Sequence, residues 1–172
     1  MISAPKIHKP LYHAVCQTGR PGPLSRLGIR CVDQALVEID YLTAAQQFEL
    51  VPMSLALEVS RQLVEYFKGT RTEFTFPLHA GGTVFQQRVW QALMQIPYGT
   101  TMTYGALARE LHSSARAVGN ACRANPIPIV IPCHRVVGAS GIGGYSGETT
   151  GDGIAIKRWL LEHEQAGIGG RR

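Results

Sequence analysis

Two hydrophobic periods run along this chain, and the change between them marks its elements. Leu36, Glu38 and Asp40 alternate with Val37, Ile39 and Tyr41, the period of a half-buried strand. Leu24 to Cys31 reads as its partner, with Val32-Asp33-Gln34-Ala35 as the turn, so a hairpin is expected. Residues 1–22 are polar and turn-rich and predict irregular structure up to Arg20-Pro21-Gly22-Pro23. Pro52 to Lys68 then changes to helical spacing: Val59, Leu63 and Phe67 share one face, and Gly69 supplies the stop. Glu73 to Leu78 reads as a further strand. Ala80-Gly81-Gly82 reads as a linker, which places an expected boundary between residues 1–80 and 81–172.

Helical signals dominate the second half. Thr83-Val84-Phe85-Gln86 fits a capping box, and Phe85, Val89 and Leu93 recur every four residues. Pro97-Tyr98-Gly99 breaks that helix. Thr103 can cap a short helix through Leu111, with Leu107 and Leu111 inward. Ser113 or Ser114 can cap another over Ala115 to Arg123, ended by Asn125-Pro126. Two short helices about a His112-Ser113 turn fit a helix-turn-helix, and equally an ordinary helical hairpin. The last of these helices is small and basic: Ala115, Arg116, Ala117, Gly119, Asn120, Ala121 and Arg123. A mid-helix glycine costs about 1 kcal/mol relative to alanine. Small residues make sense where a helix presses on a groove floor or, alternatively, on a neighbouring helix.

Composition narrows the class. The 172 residues suffice for one large or two small domains, and 45% are hydrophobic, as in ordinary globular proteins. No run approaches the roughly 18–20 apolar residues of a membrane span, and Met1-Ile2-Ser3-Ala4-Pro5-Lys6 lacks a secretory core. A cytoplasmic protein without a membrane partner is expected. The net charge of +5 and pI near 9.2 suit a polyanion. Four cysteines without a CxxC pair read as thiols rather than a zinc ribbon. His8, His13, Cys16 and Cys31 form a looser group that could hold a metal, although unrelated surface histidines and buried thiols explain it more simply.

The candidate chemistry lies in Asn125-Pro126-Ile127-Pro128-Ile129-Val130-Ile131-Pro132-Cys133-His134-Arg135-Val136. A buried run, Ile129 to Ile131, ends at Pro132 and delivers Cys133 at the edge of a rigid segment. A thiol reacts as thiolate, which a nearby base or cation makes easier to form. Neighbouring side chains on a strand point to opposite faces, so His134 assists Cys133 only if the backbone turns between them.

These residues resemble the O6-alkylguanine-DNA alkyltransferases, also called methylated-DNA–protein-cysteine methyltransferases. Pro132-Cys133-His134-Arg135-Val136 is similar to the family's active-site motif. Phe85-Gln86-Gln87-Arg88-Val89-Trp90, Ile96-Pro97-Tyr98-Gly99, Tyr104-Gly105, Ala115-Arg116-Ala117-Val118-Gly119 and Gly144-Tyr145-Ser146-Gly147 match in the expected order. The resemblance spans about residues 22–164. It implies an α/β (α+β) fold, in which a small N-terminal ribonuclease-H-like sheet and helix precede a C-terminal winged-helix-like domain with a helix-turn-helix. The implied activity is irreversible, single-turnover transfer of an alkyl group from O6-alkylguanine, and also O4-alkylthymine, to Cys133. The implied partner is double-stranded DNA bound through the minor groove by a monomer, with no cofactor and no metal.

The resemblance also implies roles for individual residues. Cys133 is the nucleophile, His134 a base acting through a water, and Glu164 its orienter; pattern alone would allow Glu162 as well as Glu164. O6 faces the major groove of a stacked duplex, so the damaged nucleotide must be flipped out. Arg116 fills the vacated space. Ala117, Gly119, Ala121 and Arg123 belong to the DNA-binding helix. Tyr104 pushes the phosphate and donates to the guanine ring, Ser146 donates to the oxygen, and Tyr145 lines the base site. Backbone groups near Cys133 and Val136 read the exocyclic amine, and Asn125 holds the turns together. A damage sensor without transfer is opposed by Cys133 itself. A cysteine hydrolase leaves the basic helix unexplained. The sequence departs from the family after Gly147: Glu148-Thr149-Thr150-Gly151-Asp152-Gly153 replaces the usual second glycine and adds about five residues, expected as a polar surface loop that alters substrate range or slows repair without abolishing activity.

Overall fold

The computed structural model describes residues 9–147 and 150–169. Glu148 and Thr149 of the family departure and His8 of the loose metal group lie outside the described residues. Chain order runs β1 (Leu11–Tyr12), β2 (Ala14–Gln17), β3 (Arg26–Val32), β4 (Ala35–Tyr41), β5 (Glu49–Leu50), α1 (Ser54–Phe67), α2 (Val84–Met94), β6 (Met102–Thr103), α3 (Tyr104–Glu110), α4 (Ala115–Arg123), β7 (Val136–Val137) and α5 (Asp152–Gly169). Strands β2, β3 and β4 form an antiparallel sheet, with α1 packed across it. β1 pairs with β5 and β6 with β7, both in parallel.

The hairpin β3–β4 turns through Asp33 and Gln34, with φ of 47° and 61°, the signature of a type I′ turn that matches strand twist. Its register is irregular. Leu36 faces Cys31 while Glu38 faces Arg30, so Val37 is the extra residue of a bulge. That bulge shifts the alternation expected for β4 and buries Leu36 and Ile39, three positions apart. Glu38 and Asp40 remain on one face.

Two expectations fail. Residues 1–22 are not irregular throughout, because β1 and β2 lie within them. In β2 the small Ala14 and Cys16 face inward at 4% and 0% exposure. The strand is held by its ladder to β3 rather than by large side chains of its own. Conversely, Glu73 to Leu78 forms no strand, only a single bridge between Leu36 and Leu78. Pro77 has no N–H to extend a ladder. Phe74 packs on Tyr66 and on Phe76 instead.

The helix ends follow their caps. Thr83 Oγ1 accepts from Gln86 N and Gln86 Oε1 from Thr83 N, a complete capping box for α2. Thr103 caps α3 through Ala106 N at 3.1 Å, and Ser114 caps α4 through Ala117 N at 3.2 Å. His112, at φ 50°, makes the turn between them. Val59, Leu63 and Phe67 of α1 are fully buried. Asp152 and Gly153, expected in a polar loop, form the first turn of α5, with Gly151 at φ 80° before them. Asp152 there meets the positive end of the helix dipole. Among the described residues no helix is long and apolar enough to cross a membrane.

Gln34 adopts a left-handed backbone that costs an L-residue about 1–2 kcal/mol. Gln34→Gly is therefore expected to stabilise the protein by about 0.5–1 kcal/mol, read as a rise in thermal unfolding midpoint; a lower midpoint would contradict this.

Candidate functional site

The segment before Cys133 is a pair of tight turns rather than a strand. Ile129, a β-branched residue, sits at φ 75°, and Ile131 N donates to Ile127 O at 2.9 Å. Asn125 laces these turns. Its Oδ1 accepts from Ile127 N at 3.0 Å, and its Nδ2 donates to Ile131 O at 2.8 Å and to Cys133 Sγ at 3.3 Å. After Pro132 the chain enters a 3₁₀ turn, Cys133–Arg135. That turn removes the opposite-face problem of an extended Cys-His pair. Cys133, His134 and Arg135 are all buried, at 5%, 0% and 7% exposure.

Glu164, on α5, is the electrostatic centre. Its carboxylate accepts from His134 Nε2 at 2.8 Å, Arg135 Nε at 2.9 Å and Nη2 at 3.0 Å, Tyr66 Oη at 2.8 Å and Gly99 N at 2.9 Å. Burial alone would raise this carboxyl's pKa. The hydrogen bonds and charge of His134 and Arg135 outweigh it and hold Glu164 well below the usual carboxylate range. An ionised carboxylate only accepts, so Nε2 of His134 carries the ring proton and Nδ1 is the basic nitrogen. Nδ1 is buried and has no hydrogen-bond partner among the described residues. Burial, only partly offset by Glu164, lowers the His134 pKa, so the ring is neutral at neutral pH. Glu162, the alternative allowed by pattern, is exposed.

Burial also pushes the Cys133 thiol up, against the hydrogen bond from Asn125, the Lys157 charge, a backbone N–H and Tyr145. The resting group is a thiol, and reaction requires a base. Lys157, fully buried, donates through Nζ to Val136 O at 2.6 Å and Gly144 O at 2.9 Å. Burial brings its pKa down to about 8. Tyr104 Oη donates to the same Gly144 O at 3.2 Å, and the Tyr104 ring lies 5.5 Å from Lys157 Nζ. Tyr145 is buried and shares a 2.7 Å hydrogen bond with Tyr41 of β4. Ser146 is exposed at φ 49°.

A cavity of about 400 Å³ opens between α4 and the Tyr104, Cys133 and Gly144–Gly147 segments. Gly119 lines it, and a Cβ there would meet nothing within 4 Å, so the glycine does not serve packing on a neighbouring helix. Arg116, Asn120 and Arg123 fall on one stripe of α4. Asn120 and Arg123 line the cavity, and Arg116 is exposed on the same stripe. Arg123 also lies against Gly147. Ala117 is half-buried. Ala121 departs from the expected DNA-binding set. It is 3% exposed, and its carbonyl accepts from Trp90 Nε1 at 2.9 Å, so its small side chain serves the core.

The structure thus gathers Cys133, His134, Glu164, Asn125, Tyr104, Tyr145 and Ser146 about one place. Sequence reasoning missed Lys157, Tyr66, Gly99 and Tyr41. Arg135 had a signal, being inside the Cys-His-Arg motif, but nothing marked its pairing with Glu164, which was expected only as the orienter of His134. The loose metal group is divided: His13 Nδ1 accepts from Cys31 N at 3.0 Å, and Cys16 and Cys31 are buried in the core.

A relative from Mycobacterium leprae, a methylated-DNA–protein-cysteine methyltransferase, is 45% identical over 148 residues, covering 84% of this chain and 87% of that protein. The chain belongs to the methylated-DNA–protein-cysteine methyltransferase family. Residues 84–166 match the family model described as the DNA-binding domain of 6-O-methylguanine DNA methyltransferase. Among solved structures, the O6-methylguanine methyltransferase of Mycobacterium tuberculosis superposes with a TM-score of 0.72 at 40% identity, over 89% of this chain and 94% of that one. OGT of the same organism in complex with DNA gives 0.72 at 42% identity, over 86% and 91%. The α+β fold of this methyltransferase family member is the one those structures have.

Glu164→Gln leaves Arg135 buried without its counter-charge. It is expected to cost about 3–5 kcal/mol in denaturant unfolding. Because folding lowers the Glu164 pKa, the stability it contributes is complete above its unfolded value of about 4.3 and is lost as pH falls below it. The parent should therefore lose more stability than Glu164→Gln between about pH 5 and pH 3; equal losses would show that the cluster does not behave this way.

Proposed function

We propose that this chain repairs DNA by direct reversal, moving an alkyl group from O6 of guanine onto Cys133 once and irreversibly, with O4-alkylthymine as a second substrate. The observation that carries this reading is the neutral His134, next to Cys133 in the 3₁₀ turn, its Nε2 held by Glu164 and its Nδ1 buried and unpartnered among the described residues. In the proposed step the Cys133 thiol proton passes through a water to Nδ1. Sγ then forms a bond to the alkyl carbon as the carbon–O6 bond breaks, and the leaving guanine takes a proton from Tyr104, which regains one from the His134 imidazolium through solvent. The product is a thioether. Among the described residues no side chain near Sγ offers chemistry to cleave it, so on this reading one polypeptide handles one lesion and no cofactor is consumed.

The complex of the Mycobacterium tuberculosis relative with DNA supports DNA as the partner. On this reading α4 enters the minor groove as part of a monomer. Arg116 fills the space of the flipped nucleotide, and Arg123 and the open edge at Gly119 face the backbone and the extruded base. An alkylated base pairs poorly, which lowers the cost of flipping from the few kcal/mol of an intact pair. Tyr104 exchanges its bond to Gly144 O for the substrate. Ser146 donates to the departing oxygen. Lys157 occupies one lone pair of Val136 O, leaving the second for the exocyclic amine. The division into 1–80 and 81–172 belongs to the same reading, supported by a DNA-binding-domain match that begins at residue 84.

Incubation with duplex DNA carrying O6-methylguanine, followed by peptide mass spectrometry, should find one methyl on Cys133 and repair that stops at one lesion per chain. Cys133→Ser should abolish transfer while still retarding DNA. Arg116→Ala should slow transfer by at least about tenfold at limiting DNA, given the few kcal/mol it is asked to offset. Repeated turnover, or transfer by Cys133→Ser, would refute the reading.

A further inference from the structure

Tyr41 of β4 lies outside the proposed transfer step, yet its hydroxyl is 2.7 Å from that of Tyr145. Tyr145 is 4% exposed and lines the larger cavity together with Cys133. Tyr41 lines a smaller cavity of about 220 Å³, which Cys133 also borders. Two bonded phenols thus reach the surroundings of one sulfur from two parts of the fold, the Gly144–Gly147 segment and the N-terminal sheet. We propose that Tyr41 is a positioning residue for the transfer: it donates its hydroxyl proton to Tyr145 Oη and so directs the Tyr145 proton onto the Cys133 sulfur as that sulfur gains negative charge. This inference rests on the reading that Cys133 accepts the alkyl group.

The direction follows from the protons at hand. A tyrosine hydroxyl has one proton to give, and its oxygen can also accept. Burial keeps both phenols protonated at neutral pH, so each has that proton. A thiol sulfur is a weak acceptor. While Cys133 is a thiol, the bond between the phenols can run either way. A thiolate accepts charge-assisted bonds, which are stronger. Tyr145 favours the Cys133 thiolate, against the burial that opposes it, and it does so beside the Asn125 amide, already 3.3 Å from Sγ. Once the Tyr145 proton points to sulfur, Tyr145 has only its oxygen to offer, and Tyr41 must be the donor. A donor that itself accepts a hydrogen bond is polarised and gives a stronger one. No covalent bond changes in the pair: each hydrogen stays on its own oxygen. The backbone holds Tyr41 in place for this role. Leu27 of β3 faces it, and Ile39 N, two residues earlier, fastens β4 to Pro126 O at 3.0 Å.

The test makes two measurements on the parent, Tyr41→Phe, Tyr145→Phe and the double variant. The first is the single-turnover rate of methyl transfer from duplex DNA carrying O6-methylguanine. Tyr41→Phe should lower it by about three- to tenfold, the scale of one neutral hydrogen bond. The same change should have no effect in the Tyr145→Phe background, because it acts through Tyr145. The second is the pH dependence of Cys133 alkylation by iodoacetamide, read on the Cys133 peptide by mass spectrometry. Tyr41→Phe should move the apparent Cys133 pKa upward. A packing defect would move it downward, because entering water relieves the burial that holds the thiol up. Tyr104 of α3, Cys122 and Arg123 of α4 and Lys157 of α5 face the sulfur or its larger cavity, and Glu38 and Asp40 of β4 line the smaller one. Lys157, brought down to about 8, titrates within the measured range. These groups and His134 are the same in all four proteins, so the readout is the difference between them. A transfer rate unchanged in Tyr41→Phe, equal slowing in both backgrounds, or an apparent pKa unchanged or lowered overturns the role of Tyr41 while methyl transfer by the parent stands. Failure of the parent to transfer methyl overturns the Cys133 reading and this role together.

Discussion

One buried carboxylate organises this molecule. Glu164 gathers hydrogen bonds from α1 through Tyr66, from the turn after α2 through Gly99, and from the 3₁₀ turn through His134 and Arg135. An isolated ionised carboxyl in an apolar interior is prohibitively costly. This one is tolerated because Arg135 supplies a full counter-charge and every acceptor direction is used. The same bonds tie four separate pieces of chain to one point, so the shape of the site and the stability of the fold share a cause.

That arrangement separates two jobs that a Cys-His pair must do. Glu164 takes Nε2 of His134 and leaves Nδ1 as the basic nitrogen of a neutral ring, while burial keeps Cys133 a thiol at rest. Lys157 ties the Val136 and Gly144 carbonyls together with a single buried ammonium. A reactive thiolate is thus not exposed at rest, which suits a sulfur that the proposed chemistry uses once.

The N-terminal sheet contributes to the site without touching the acceptor chemistry directly. Ile39 N donates to Pro126 O at 3.0 Å, and Tyr41 meets Tyr145. These contacts fasten the turns around Cys133 to β4. They also bring β4 to the wall of a small cavity that Cys133 borders.

Much was legible in the chain itself because it depends on neighbours in sequence. The capping box at Thr83, the cap at Thr103, a serine cap at 113 or 114, the buried face of α1 and the β3–β4 hairpin all arise from local bonds and local periodicity, whereas the Cys-His-Arg string was assigned its chemistry through the family resemblance. What local pattern could not decide is whatever depends on distant partners. β2 is held by a ladder its own small residues do not advertise. Ala121 is buried rather than exposed, and its carbonyl is held by the Trp90 indole of α2. Glu164 is distinguished from Glu162 only by which one meets His134, Arg135, Tyr66 and Gly99. Lys157 looks like any helix lysine until two carbonyls from other segments close around it. Periodicity and capping act within a few residues, whereas burial and charge pairing are properties of the folded whole.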